Sequence, residues 1–233
     1  MLETLTNSTM ERWLLYLLIV GFTAAIFTSC GKDNYDAPSA KLTGKVTYNG
    51  QPVGVRGSNQ SVRLQLWQDG FALRTPIDVY VTQDGSFSSM LFDGTYKLIT
   101  VSGTGPWSHS SDTVVVQVNG NTEIGFPVRP YFALSGISYT LEGTDLTATL
   151  TVDQIDQTRS IEDISLLVGD TKFVDLGHFT KQQKATLKEN GTLTIRMNVE
   201  EQLANNSALF ARVAVKINGI TEAVYDSETK KIK

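Results

Sequence analysis

The chain has 233 residues, 41% apolar and 19% charged, a globular composition that argues against disorder. Its 20 basic and 24 acidic side chains leave a net charge of −4 with no dense Lys/Arg run, so nucleic acid is not an expected partner. The single cysteine, Cys30, excludes an intramolecular disulfide and a cysteine-based metal site, and the length suits one or two domains.

The first element is an uncharged run, Trp13 to Phe27, WLLYLLIVGFTAAIF. Its 15 residues fall short of the roughly 20 that span a bilayer as a helix, but they suit the core of a signal peptide. Met1 to Thr9 holds Glu3 and no base, whereas Met10 directly precedes Glu11 and Arg12, so translation is expected to start at Met10, with Met1 the alternative. Phe27-Thr28-Ser29-Cys30 resembles a bacterial lipobox, with Phe27 where leucine is commoner. The resemblance implies cleavage before Cys30 and lipidation of its thiol. A plain membrane anchor with an incidental cysteine, or a leader cut nearby, is the alternative. Several acyl chains at about 0.8 kcal/mol per buried methylene would make such an anchor effectively permanent.

Residues 30–40, CGKDNYDAPSA, carry no apolar period and read as a flexible tether. Lys32-Asp33 with Asp36 is similar to the export tag of lipoproteins sent to the outer cell surface, which implies an outer-membrane protein facing the exterior. The periplasmic face is the alternative.

Asn-Gly or Asp-Gly then recurs at 49–50, 69–70, 84–85, 93–94, 119–120, 190–191 and 218–219, supplying the positive φ of hairpin turns. Between them stand KVTY, SVRLQLW, IDVYV, TYKLITV, TVVVQV, TLTIRMNV and LFARVAVKI, strand-length runs that predict an all-β chain. The two short helix candidates, Lys181 to Glu189 and Glu200 to Asn205, read better as inter-strand turns. Pro127 and Pro130 interrupt any continuous strand and predict two sandwiches, 41–128 and 129–233.

In the first of these, Gly44-Lys-Val46, Asn49-Gly-Gln-Pro52, Val62-x-Leu64-x-Leu66, Asp84-Gly85-Ser-Phe87 and Gly94-Thr95-Tyr96 follow in order. This series resembles the carboxypeptidase regulatory-like (transthyretin-like) sandwich, which implies a spacer or binding scaffold. In the second, SIEDISLLVGDTKFVDL reads as a strand, a Gly169-Asp170 turn and a return strand. TLTIRMNVEEQLANNSALFARVAVKI reads as two strands joined by a short helical turn. Together they are similar to an Ig-like sandwich without its cysteine and tryptophan. The whole layout resembles two-domain surface lipoproteins of gut bacteria that sit beside SusC/SusD-type glycan importers. That resemblance implies glycan and outer-membrane importer proteins as partners. A structural or adhesive interaction module is the rival reading.

Enzyme signatures are sparse. His109 and His178 fall in different predicted domains, there is no Gly-x-Ser-x-Gly elbow or phosphate loop, and no Asp-x-Asp-x-Asp-Gly run. A non-enzymatic protein without metal or cofactor is expected. Strand alternation places Val62, Leu64 and Leu66 on one face and Arg63, Gln65 and Trp67 on the other, where an exposed indole could stack on sugar. Packing of Trp67 against an adjacent domain or loop is the plainer reading. Trp107 in SGTGPWSHSS is a candidate loop contact with His109 beside it, or else a lid folded over the core. Tyr131 and Phe132 are expected to pack between domains.

Overall fold

The computed structural model describes Trp13 and residues 36–187 and 190–233. The run read as a signal peptide, Cys30 and most of the expected tether therefore lie outside the described residues. The rest is all-β: two sandwiches in tandem, each with its own core.

The first sandwich contains β1 (Ala40–Tyr48), β2 (Gln51–Pro52), β3 (Arg63–Trp67), β4 (Ile77–Tyr80), β5 (Ser86–Leu91), β6 (Gly94–Thr100), β7 (Val114–Val118) and β8 (Asn121–Pro127). One sheet is centred on β1, with β5 and β2 antiparallel along one edge and β8 parallel along the other. The facing sheet runs β4-β3-β6-β7. Alternation turns Leu42, Val46, Leu64, Leu66, Tyr96 and Leu98 inward, all at most 2% exposed. Phe87 lies across the strand from Gly44, and a side chain on Gly44 would strike both that ring and the Ile124 carbonyl. Glycine is therefore required where the resemblance places it. Asn49 and Gly50, with φ of 50° and 77°, form the tight turn between β1 and β2.

The second sandwich contains β9 (Phe132–Glu142), β10 (Asp145–Gln154), β11 (Ile161–Gly169), β12 (Lys181–Ala185), β13 (Gly191–Asn198), α1 (Glu200–Asn205), β14 (Phe210–Ile217), β15 (Val224–Tyr225) and β16 (Lys230–Lys231). Sheet β13-β10-β9 faces sheet β12-β11-β14, whose far edge is closed by β15 and β16. Strands β11 and β14 are buried on both faces. Ile164, Leu166, Val213 and Val215 enter the sandwich core, while Leu167, Phe210 and Ala214 form a second cluster with Val174, Ala223 and Tyr225 on the outer side.

Three expectations change. Glu200–Asn205 is an α-helix rather than a turn, because Glu200 and Glu201 suit its positive end and Lys233 Nζ donates to the Leu203 and Asn206 carbonyls at its other end (2.6 and 2.7 Å). Lys181–Ala185 is an edge strand, and its lysines and glutamines suit an unpaired edge. The return strand read into TKFVDL is a loop: Asp175 and His178 exchange main-chain hydrogen bonds (3.1 and 2.9 Å) and reverse the chain before β12 begins.

The sandwiches meet along two seams. At the linker, Ser108 donates to the Arg129 carbonyl and Tyr131 to the Pro106 carbonyl, both at 3.0 Å. Tyr131 and Phe132 themselves belong to the second core, with Arg159 over the Tyr131 ring at 5.1 Å. At the second seam, Tyr225 N–H bonds the Gly54 carbonyl at 3.0 Å, extending a strand contact across the domains.

Beside it lies Arg212, fully buried on β14. Its Nε donates to the Asp226 carbonyl (2.8 Å) and Nη1 to Val174 (3.1 Å), while Nη2 reaches Val55 (3.0 Å) and Gln83 (2.6 Å) in the first sandwich. The guanidinium stacks over Tyr225 at 4.5 Å. Burial pushes its pKa down to about 10, so it remains a cation at neutral pH. One planar fork thus ties four main-chain carbonyls of two domains into one joint.

Candidate functional site

The loop between β11 and β12 builds an open cleft of about 650 Å³ against the first sandwich. Its lining includes Asp170, Thr171, Phe173, His178 and Phe179 from the loop and Ser58 from the first domain. Two forces shape this loop. Val174 is fully buried and anchors the outer cluster, while its neighbour Phe173 stands outward, 67% exposed. The chain then reverses at Gly177 and presents Phe179, 42% exposed.

Asp175 is the fixed point beneath the cleft. Its carboxylate, 2% exposed as a residue, accepts Gly177 N–H at 2.8 Å and Ser58 N–H at 3.3 Å, and lies 3.3 Å from His178 Nδ1. Burial alone would raise its pKa. The bonds from Ser58, Gly177 and His178, with the nearby Arg56 cation, outweigh that and hold it below the ordinary carboxylate value. The charge orients the imidazole, whose own side chain is 57% exposed. From the first sandwich, Gln83 Nε2 donates to the Lys172 carbonyl (2.9 Å) and to Thr229 Oγ1 (3.3 Å). Both domains therefore fix the loop.

Chemically, the cleft offers two phenyl faces, one held imidazole, one exposed carboxylate at Asp170 and the Ser58 and Thr171 hydroxyls. Such a set can stack on apolar ring faces and bond hydroxyl groups. Among the described residues no cluster of three or more His, Cys, Asp or Glu could hold a metal ion.

The residues expected from sequence are placed elsewhere. Trp107 is 3% exposed and part of the first core, so it is a lid and not a surface contact. The reason is the linker seam, which straps the main chain on either side of Trp107 to Arg129 and Tyr131 and folds the indole under Gly105. His109 is exposed and its Nδ1 lies 3.2 Å from Thr100 Oγ1. Arg63, Gln65 and Trp67 do share the outer face of β3, but each has an internal partner. Arg63 Nη1 and Gln65 Nε2 both donate to the Asp78 carboxylate (3.1 and 3.0 Å), and Arg74 covers the Trp67 ring at 5.7 Å. Arg74 and Lys97 then converge on Asp69 and lower its pKa, Lys97 contributing most.

Phe173 and Asp175 carry no site signal in the sequence because TKFVDL reads as a return strand, and Phe179 follows just beyond it.

Comparison with known proteins follows the same two parts. The family model described as "Protein of unknown function (DUF3823) N-terminal domain" matches residues 40–129, and "Domain of unknown function (DUF3823_C)" matches residues 132–231. The crystal structure of a DUF3823 family protein from Parabacteroides merdae is 36% identical, with a TM-score of 0.79 over 85% of this chain and 100% of its own. One from Bacteroides ovatus is 34% identical, with a TM-score of 0.75 over 83% of this chain and 98% of its own. A Bacteroides uniformis protein described as a "putative carbohydrate binding protein" shares the fold at 18% identity and a TM-score of 0.67, over 84% of this chain and 100% of its own. No curated protein matches the chain.

Proposed function

The chain belongs to the DUF3823 family, and from that premise we propose that it is a non-enzymatic, lipid-anchored glycan-binding protein of the outer cell surface. In this reading Cys30 carries the anchor, residues 31–40 act as the tether, and the sandwiches present glycan to an outer-membrane importer of the SusC/SusD type. The observation that carries the binding role is the cleft with Phe173 and Phe179 exposed beside His178, which is itself held by buried Asp175. Pyranose rings have apolar faces that stack on aromatics and hydroxyl rims that bond polar neighbours. A shallow, open cleft fits a polymer chain better than a small free metabolite. The description of the Bacteroides uniformis relative points the same way.

The test is affinity electrophoresis of the full chain through gels containing a panel of polysaccharides. Retardation by at least one polymer is expected, and Phe173→Ala with Phe179→Ala should abolish it while the thermal midpoint holds. Absence of retardation across the panel would sink the glycan reading, and unchanged retardation of the double variant would move the site elsewhere. Anchoring is checked separately by the intact mass of the membrane-extracted protein.

A further inference from the structure

Among the described residues from 38 onward, nine large apolar side chains are exposed: Phe71, Leu73, Ile77, Tyr80, Met90, Phe92, Val115, Phe173 and Phe179. The last two belong to the cleft. Five of the others, Phe71, Leu73, Ile77, Met90 and Phe92, gather at one end of the first sandwich. The strand registers fix this. Ala40, the first residue of β1, pairs with Leu91, so the Phe92-Asp93 turn lies beside the start of β1. Trp67 pairs with Lys97 near the start of β6 and Leu66 with Ile77, which directs the loop of Phe71 and Leu73 to the same end. The β7–β8 turn closes it, with Gly120 donating to the Asp93 carboxylate at 2.8 Å and accepting from Lys41 N–H at 3.1 Å. Leu73 is 82% exposed, Phe71 60% and Phe92 52%, an arrangement that a free sandwich end does not need.

This is also the end at which the chain enters the fold. Ala40 is ten residues after Cys30, and that length spans at most about 36 Å when fully extended. We propose that this pole is a membrane-docking surface: Phe71, Leu73 and Phe92 enter the interface of the bilayer that holds the anchor. The inference rests on the reading that Cys30 is acylated. A tether confines the domain near the bilayer without orienting it, and three apolar side chains at the tethered pole supply the orientation. The second sandwich and the cleft then point away from the membrane, because Ser58, Gln83 and Gly54 lie at the opposite end of the nine-residue β1, about 30 Å from the pole.

The experiment uses full chains carrying Leu73→Cys or Phe173→Cys, produced in a lipidating bacterium. Each is labelled with an environment-sensitive fluorophore and reconstituted in phosphatidylethanolamine/phosphatidylglycerol vesicles. An acylated Cys30 has no thiol, so the label marks only the introduced site. Expected are a blue shift and quenching by lipid nitroxides at residue 73, with water-like emission at residue 173. Water-like emission at both sites overturns the proposal. So does a blue shift at residue 73 without vesicles, which would assign the patch to a second copy of the chain. If intact mass shows a bare Cys30, the anchor reading fails on its own. The Cys30→Ser, Leu73→Cys chain mixed with the same vesicles then decides the pole by the same shift.

Discussion

Replacing Arg212 with alanine should split the molecule along its second seam. The guanidinium uses four N–H groups on four carbonyls, two in each domain, and the residue is fully buried. Hydrogen bonds from a charged group contribute about 1.5–3 kcal/mol each, but they are not additive when one side chain makes all of them. Removing the donor leaves buried carbonyls unsatisfied, at about 1–3 kcal/mol for each one that water does not reach. Water entering the vacated volume would re-satisfy some carbonyls, so we expect about 4 kcal/mol in total. Half of the bonds cross to Val55 and Gln83, so roughly 2 kcal/mol of this falls on docking rather than on either fold. Urea denaturation followed by tryptophan fluorescence and far-UV circular dichroism should show one coincident transition for the wild type. Arg212→Ala should give two, with fluorescence and dichroism no longer superimposed. Gly54→Ala should act similarly by a different route, because its new Cβ would meet the Tyr225 and Asp226 main chain. An Arg212→Ala protein within 1 kcal/mol of wild type, still unfolding in one step, would refute the clamp.

Three further outcomes are expected. Trp107→Ala should lower stability by about 3–5 kcal/mol, the cost of emptying an aromatic core site, and leave polysaccharide retardation at permissive temperature unchanged. Burial raises the pKa of Asp226 above 3.8 and of Glu222 above 4.5, so the folded state binds these protons more tightly than the unfolded one. Their stabilisation is complete below those unfolded values and lost as pH rises through the folded ones, so the thermal midpoint should climb as pH falls from neutral toward the unfolded values, and Asp226→Asn should flatten that slope. Asp175 has the opposite sign: its folded pKa is held below 3.8, so its contribution is present above that value and lost as pH falls through the lowered one. Stability should fall steeply below about pH 4, less so in Asp175→Asn.

The all-β, two-part architecture was legible because its signals are local. Asn-Gly and Asp-Gly turns and period-two runs report hairpins without knowledge of the rest of the chain. The junction was illegible for the converse reason. In LFARVAVKI, Arg212 occupies an outward position of a strand, and an outward arginine reads as solvated. Only the first sandwich, more than 100 residues away in sequence, makes that outward face an interior, as the bonds to Val55 and Gln83 show. Trp107 was legible only as one of two alternatives, a loop contact or a lid, and the structure makes it the lid. Gly/Ser-rich flanks read as a loop tip, but the loop is strapped to the linker by main-chain bonds that no side chain announces. The cleft failed at a finer level, where a single tight exchange between Asp175 and His178 replaced the expected return strand by a loop.

The clamp also constrains what the cleft can be. Ser58 reaches the Asp175 carboxylate from the first domain, and Gln83 of the same domain reaches Lys172 and Thr229, so the first sandwich supplies one wall of the cleft and supports a loop that belongs to the second. Were the domains free to rotate about Pro127 and Pro130, each turn would pull Ser58 from Asp175 and release the loop that presents Phe173 and His178. Arg212 makes that rotation expensive, because it would strip carbonyls on both sides of a buried cation. A weakened clamp should therefore reduce polysaccharide retardation even though Arg212 lines no part of the cleft and meets its loop only at the Val174 carbonyl. Arg212→Lys is the sharper variant, since it keeps the charge but offers three donors to four carbonyls. Retardation that survives unchanged while the two unfolding transitions separate would show that the cleft needs only its own loop.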